Sequence, residues 1–346
     1  MERNYLIMSG DTITAKWENR KLTVINDKLL PFFLKRVHDA DMWLETRAID
    51  SHRANSRLLK KALRLKEKDD INTVIHVNAA TITDNYWIKP LDSDLAYGDI
   101  RFSDDYFSDL ALNGGYSSFN DAANSDSGRT PELTNIGSFE KCWKLIDGKW
   151  WMIKTANQNE LFSELFIYHF GKASGLNMAL YEKSGNNIRT LDFTDGASVN
   201  FEPAFSFLDD NEDYEDTYKM LSELCPDAAA DYVRMVFLDT VTANPDRHTA
   251  NFGLLRNNST GALIGLAPLF DHNMALISRG EPKIPTNNDL LIRLFNEFVS
   301  YHPDIKKNLP QITLDVITQS LNKTDMPVNR EYIIELLMKR YELIDI

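Results

Sequence analysis

Asp246 and Asn251 stand five residues apart in the segment NPDRHTANFG, and Asp271 follows in LAPLFDH. A carboxylate that accepts a hydroxyl proton and an amide that holds a metal can project from one such loop into one site. A carboxylate plus an amide oxygen is a hard-oxygen set suited to Mg²⁺ with bound phosphates. An Asp base, a metal-binding Asn and, after a short hairpin, a metal-binding Asp is an arrangement that serves phosphoryl transfer. Taken singly, each of the three is as readily a turn former or a cap. Lys154 closes the strand-like run WWMIK. An ammonium facing inward from a strand can hold ATP phosphates, whereas most strand-end lysines lie along the surface.

These groups need elements to position them. Ala228–Thr242 has helical spacing (Tyr232, Met235, Val236, Leu238, Val241), and Pro245 disfavours helix at Asn244. The helix should therefore stop and hand the chain to the loop. FGLLR, NNSTG and ALIGLAPLF then read as a hairpin that returns Asp271 towards Asn251. In this loop His248 is expected as a brace and Arg247 as a receiver of a phosphate or a carboxylate. Leu133–Thr155 reads as strand, turn, strand, with Gly137-Ser138 near its start and Asp147-Gly148 as the hairpin turn before Lys149–Lys154. A glycine there lets backbone amides approach phosphates. Asn157–Ser174 is an amphipathic helix lined by Leu161, Leu165, Phe166, Tyr168, Phe170 and Ala173, with Gly175 as its cap. Glu160 and Glu164 lie one turn apart on it, and either can pair with Lys154. MALYE and IRTLDF read as two more strands about a turn at Asn186-Asn187. The second ends at Leu191–Phe193.

NPDRHTANFGLL followed by LAPLFDH resembles the kinase segment of HipA-like serine/threonine kinases, which carry D-x-H-x-x-N-F and a later Y/F-D. NIGSFEKCWKL is similar to the G-x-Q-x-K phosphate loop of that family, with Gly137, Glu140 and Lys141 matching and Phe139 in place of the glutamine. The helix glutamate of the family falls at Glu164. The resemblance spans about 133–275 and continues weakly to 346. It implies an α+β, bilobal protein-kinase-like fold, with a β-rich N-lobe over 133–193 and a helical C-lobe over 194–346 that carries loop 244–253. It implies ATP and Mg²⁺ as cofactors. Asp246 would align the acceptor hydroxyl and Lys154, fixed by Glu164, would hold the α and β phosphates. Asn251 and Asp271 would bind the metal, with Gly137, Ser138 and Lys141 around the phosphates and Leu191 and Phe193 at the adenine. A carboxylate is a weak base at neutral pH, so the role of Asp246 would be mainly positional. Members of the family can silence themselves by phosphorylating a residue before the loop glycine; Thr134 occupies that place, with Ser138 a neighbour. A protein substrate and a small antitoxin-like partner are implied as well. A small-molecule kinase, or a nucleotide-binding regulator without turnover, fits the same motifs.

Residues 1–112 form an α+β leader. Its strands are expected at 12–17, 21–25 and 73–77, its helices at 29–37, 42–47 and 56–65, and an aromatic run lies at 85–90. Residues 113–132, rich in Gly, Ser, Asn and Asp, read as a linker. Beyond Asp271, helices are expected at 288–301, 313–322 and 329–344. The 346 residues are 43% apolar and 26% charged, with a net charge of −13. That balance argues against direct nucleic-acid binding as a main role. Arg53, Arg57, Lys60, Lys61, Arg64 and Lys66 are expected as a solvated helix face. Two distant cysteines, Cys142 and Cys225, suggest free thiols in the cytoplasm. No run is long enough for a signal peptide or a membrane span.

Overall fold

The computed structural model describes residues 3–65, 70–115 and 128–345. The chain folds into two compact units. The first is Met1–Thr155, Arg189–Glu202 and Leu255–Leu263; the second is Ala156–Ile188, Pro203–Leu254 and Ile264–Ile346. Lys66 and most of the expected linker (116–127) lie outside the described residues.

The first unit opens with β1 (Tyr5–Ser9), β2 (Thr12–Glu18) and β3 (Lys21–Val24). With β4 (Tyr86–Pro90) they form an antiparallel sheet in the order β3-β2-β1-β4. Ile7 pairs with Ile88 and Tyr5 with Trp17, so the aromatic run YWIKP becomes an edge of this sheet with Tyr86, Trp87 and Ile88 buried. The helices α1 (Phe32–Val37), α2 (Ala40–Glu45), α3 (Ala54–Ala62), α4 (Asp70–His76), α5 (Tyr97–Ile100) and α6 (Ser108–Asn113) accompany it.

Two expectations fail here. Residues 73–77 are not a strand, because Thr73–His76 finish α4. The β-branched run favours a strand locally, but Ile71, Val74 and Val77 recur at every third position and are buried, and that spacing suits a helix face. The basic stretch is not a solvated face throughout. Arg57, Lys61 and Arg64 are exposed, whereas Arg53 and Lys60 are buried, Lys60 against Asp70 at 2.8 Å.

β5 (Lys141–Ile146) and β6 (Lys149–Lys154) make the expected hairpin. Asp147 (φ 50°) and Gly148 (φ 74°) form its two-residue turn, and both positive angles match a primed turn. β7 (Tyr181–Ser184) and β8 (Asn187–Leu191) continue the sheet in the order β5-β6-β8-β7. A three-stranded sheet runs β11-β10-β9, from β9 (Val199–Pro203), β10 (Gly253–Asn257) and β11 (Leu263–Leu266).

The second unit is mainly helical. α7 (Gln158–Ala173) starts at a capping box, in which Asn157 accepts from Glu160 N and the Glu160 carboxylate accepts from Asn157 N. Phe162, Phe166 and Phe170 stack along one face of α7, 5.5 and 5.6 Å between successive rings. All three are buried, each worth about 1.5–3 kcal/mol relative to exposure. After α8 (Phe205–Leu208) and α9 (Tyr214–Leu224) comes α10 (Pro226–Thr242), followed by α11 (Leu290–Tyr301), α12 (Leu314–Thr324) and α13 (Arg330–Glu342). α12 packs on α7, and α9, α11 and α13 pack on α10. Among the described residues no helix is long and apolar enough to cross a membrane. Cys142 and Cys225 are unbridged.

Candidate active site

In the second unit the site is organised by Asp239, in the last turn of α10. The helix ends at Thr242, and Ala243 (φ 53°) turns the chain out of it. The Asp239 carboxylate is buried and accepts from Arg247 Nε at 2.7 Å, from Arg247 Nη2 at 3.0 Å and from Asn244 Nδ2 at 2.7 Å. Such a bidentate pair is geometrically specific as well as strong. Arg247 Nη1 donates to the carbonyls of Asn251 and Phe270, both at 2.7 Å. One guanidinium therefore ties the loop that bears Asp246 and Asn251 to the residue before Asp271. Burial works against the charge on Arg247, and Asp239 outweighs it, raising the pKa above the ordinary arginine value.

Asn251 is buried and donates its Nδ2 to the Asp246 carbonyl at 2.9 Å. Its amide is thus held by the nitrogen, which leaves the oxygen as the end suited to a cation. Asp271 adopts a left-handed backbone (φ 61°). Its N–H donates to Tyr181 Oη at 2.9 Å, and the next N–H, of His272, donates to Glu164 Oε2 at 3.0 Å. β7 and α7 therefore fix the turn at Asp271 through two backbone amides. Burial, then the Glu164 and Asp271 charges, push the Tyr181 phenol well above its ordinary pKa. That keeps the phenol protonated beside these carboxylates.

The first unit carries the expected phosphate-binding groups. Lys141 and Lys154 are paired across the β5–β6 hairpin and both are buried. Gly137 sits at φ 103°, and a Cβ there would run into Lys141 Nζ. Only glycine takes that backbone without strain while leaving the ammonium against the loop. Ser138 is exposed on this loop. Thr134 is buried, its hydroxyl donating to the Ala80 carbonyl at 2.7 Å. Leu191 ends β8, and half-buried Phe193 packs edge-on against Phe201 at 5.4 Å. Asp192 between them donates its N–H to the Trp150 carbonyl of β6 at 2.9 Å.

Within the second unit the structure thus brings Asp246, Asn251, Asp271 and Glu164 into one bonded group. Within the first it brings Gly137, Lys141 and Lys154 together and sets Thr134 apart. The side-chain brace of the loop is Arg247; the exposed His248 ring accepts from Ala250 N at 3.3 Å, and its backbone bonds Asp246 and Asn251. Asp239 and Tyr181 were not singled out from the sequence. Asp239 carries the one local signal, a lone carboxylate within the apolar run YVRMVFLDTVT.

No protein-family model matches the sequence, and neither does any curated protein. Solved structures do match. HipA of the Shewanella oneidensis MR-1 toxin–antitoxin system, solved with HipB and its operator DNA, has a TM-score of 0.54 at 12% identity, over 98% of this chain and 97% of that one. The Helicobacter pylori proinflammatory kinase CtkA is also similar, with a TM-score of 0.45 and 17% identity over 59% of this chain and 90% of that one. The chain has the HipA-like kinase fold, as its motifs suggested. The HipA complex contains operator DNA, and the expectation against nucleic acid, drawn from overall charge, gains no support from it.

Proposed function

We propose that this chain is an ATP- and Mg²⁺-dependent phosphotransferase acting on a hydroxyl, a serine/threonine protein kinase of the HipA type. The observation that carries this is the Arg247 brace, which joins the Asp246–Asn251 loop to Phe270-Asp271 in a kinase fold. The donor set fits the cofactors. The Asn251 amide oxygen and the Asp271 carboxylate are hard donors of the kind Mg²⁺ takes alongside nucleotide phosphates. The space left by the missing Gly137 side chain sets the Lys141 ammonium against backbone, which suits an anion.

When bound, Mg-ATP supplies the phosphoryl group and much of the charge neutralisation. The protein supplies placement. Asp246 accepts the hydrogen bond of the acceptor hydroxyl and orients it. Lys154 and Lys141 bind phosphate oxygens, and Glu164 is assigned as the counter-charge of Lys154 while its second task holds the turn at Asp271. Leu191 and Phe193 are assigned to the adenine. The HipA structure includes HipB, and an antitoxin-type protein partner is part of this proposal. Between the two candidates for self-modification, Ser138 is exposed, whereas Thr134 must first give up its bond to Ala80.

Transfer of labelled γ-phosphate in a cell lysate tests the proposal, with wild type set against Asp246→Ala and Asn251→Ala. Each variant is expected to lose about 10²-fold or more in rate. Undiminished transfer by Asp246→Ala would overturn it. Intact mass of the purified chain after Mg-ATP, followed by peptide mapping, reports on Thr134 and Ser138.

A further inference from the structure

Loop 136–140 bears the exposed residues Ile136 and Ser138 and a glycine at positive φ, features of a segment that opens easily. Its two ends are nevertheless fixed by one side chain from far upstream. Arg53, at the start of α3, is 2% exposed. Its Nη1 donates to the Asn135 carbonyl at 2.9 Å and its Nη2 to the Lys141 carbonyl at 2.5 Å. The guanidinium therefore spans both ends of the loop as a staple would. Its Nε lies 3.9 Å from Glu140 Oε2, and the other Glu140 oxygen accepts from Asn55 N at 3.2 Å. The Glu140 carbonyl accepts from Thr155, beside Lys154, through N at 3.0 Å and Oγ1 at 3.2 Å. On the inner side, buried Glu132 accepts from Asn135 Nδ2 at 3.0 Å and from Trp143 N at 2.6 Å.

We propose that Arg53 is a positioning residue for the phosphate loop: by bridging the carbonyls of Asn135 and Lys141 it holds 136–140 closed, with the Gly137 backbone and the Lys141 ammonium presented together to nucleotide phosphates. The phosphate half of this rests on the phosphotransferase proposal; the closure of the loop does not. A planar fork of fixed geometry is what two separated carbonyls require, and a lysine ammonium cannot replace it. The leader then acts on the site through α3, by setting how firmly the loop is shut.

The test is Arg53→Lys in the full chain, with Glu140→Ala as a second variant that leaves both Arg53–carbonyl bonds in place. Backbone hydrogen exchange at 136–140 without nucleotide is expected to quicken about tenfold or more in Arg53→Lys and less in Glu140→Ala, with α10 and β10 unchanged. By titration calorimetry, the Kd for Mg-ATP should rise about tenfold while that for adenosine, which has no phosphate, stays the same. Exchange equal to wild type in both variants overturns the staple. Faster exchange with unchanged ATP affinity overturns its link to phosphate. A wild-type chain that binds neither ATP nor adenosine overturns that link and the phosphotransferase proposal, while the exchange data still decide the staple.

Discussion

Asp239→Asn isolates the support under the second unit's half of the site. The side chains of Asp239 and Arg247 are 4% and 7% exposed, and the pair is bidentate. Removing one charge strands the other in a dry environment, which costs about 3–5 kcal/mol. Asparagine keeps one acceptor oxygen but turns an NH₂ towards donors, so a loss of about 3 kcal/mol is expected. With a slope near 3 kcal/mol/M, that lowers the urea midpoint by about 1 M. The double variant Asp239→Leu/Arg247→Met removes both charges, and buried pairs replaced in this way often regain their stability. Its midpoint should return to near wild type. Phosphate transfer should not return, because the Arg247 bonds to Asn251 and Phe270 are gone. Denaturation with parallel kinetics reads both quantities. A loss under 1 kcal/mol in Asp239→Asn, or wild-type transfer by the double variant, would refute the bracing role.

Glu132 gives a pH dependence. Burial raises its pKa from 4.5 to about 7 against the opposing bonds from Asn135 and Trp143 and the charges of Arg53 and Lys141. The folded state therefore holds a proton that the unfolded state has released, and stability falls as pH rises from about 4.5 to 7, by on the order of 3 kcal/mol. Glu132→Gln should flatten the difference between urea midpoints at pH 5 and pH 8; an identical difference in both proteins would count against it. Gly137→Ala forces a side chain onto a backbone at φ 103° and into Lys141 Nζ, a strain of about 1–3 kcal/mol. ATP affinity measured by calorimetry should drop about tenfold with adenosine unaffected, and an unchanged ATP affinity would remove Gly137 from the phosphate loop.

What could be read from the sequence was what is encoded locally. The Asp147-Gly148 turn sets its hairpin register, Ile146 against Lys149, through two residues. The helix after Asn157 announces itself by a cap and a periodic apolar face. The DRHTANF loop displays its chemistry in seven letters. The supports were hidden because they are distant in sequence. Arg53 and the carbonyl of Asn135 are 82 residues apart, and Tyr181 and Asp271 are 90. No periodicity marks such pairs, so Arg53 looked like one more charge on a basic helix. β1 was missed for another reason: the short run YLIMS shows no alternation of its own, and it becomes a strand by lying between β2 and β4. At Thr73–Val77 a local preference was overruled by the burial of one helical face.

The last piece of the first unit, Leu255–Leu263, contributes Arg256, which donates to the carbonyls of Lys28 and Leu30 and to Glu202 and Tyr86. Leu30 and Arg256 are 226 residues apart. On a ribosome adding about 5–20 residues per second, the earliest-made residues wait on the order of 10 to 45 seconds for that partner to be translated. During that interval the nascent leader holds the Lys28 and Leu30 carbonyls and the Tyr86 hydroxyl without the guanidinium that joins them in the finished fold. Final closure of the unit is thus tied to late elongation, however soon its first strands pair.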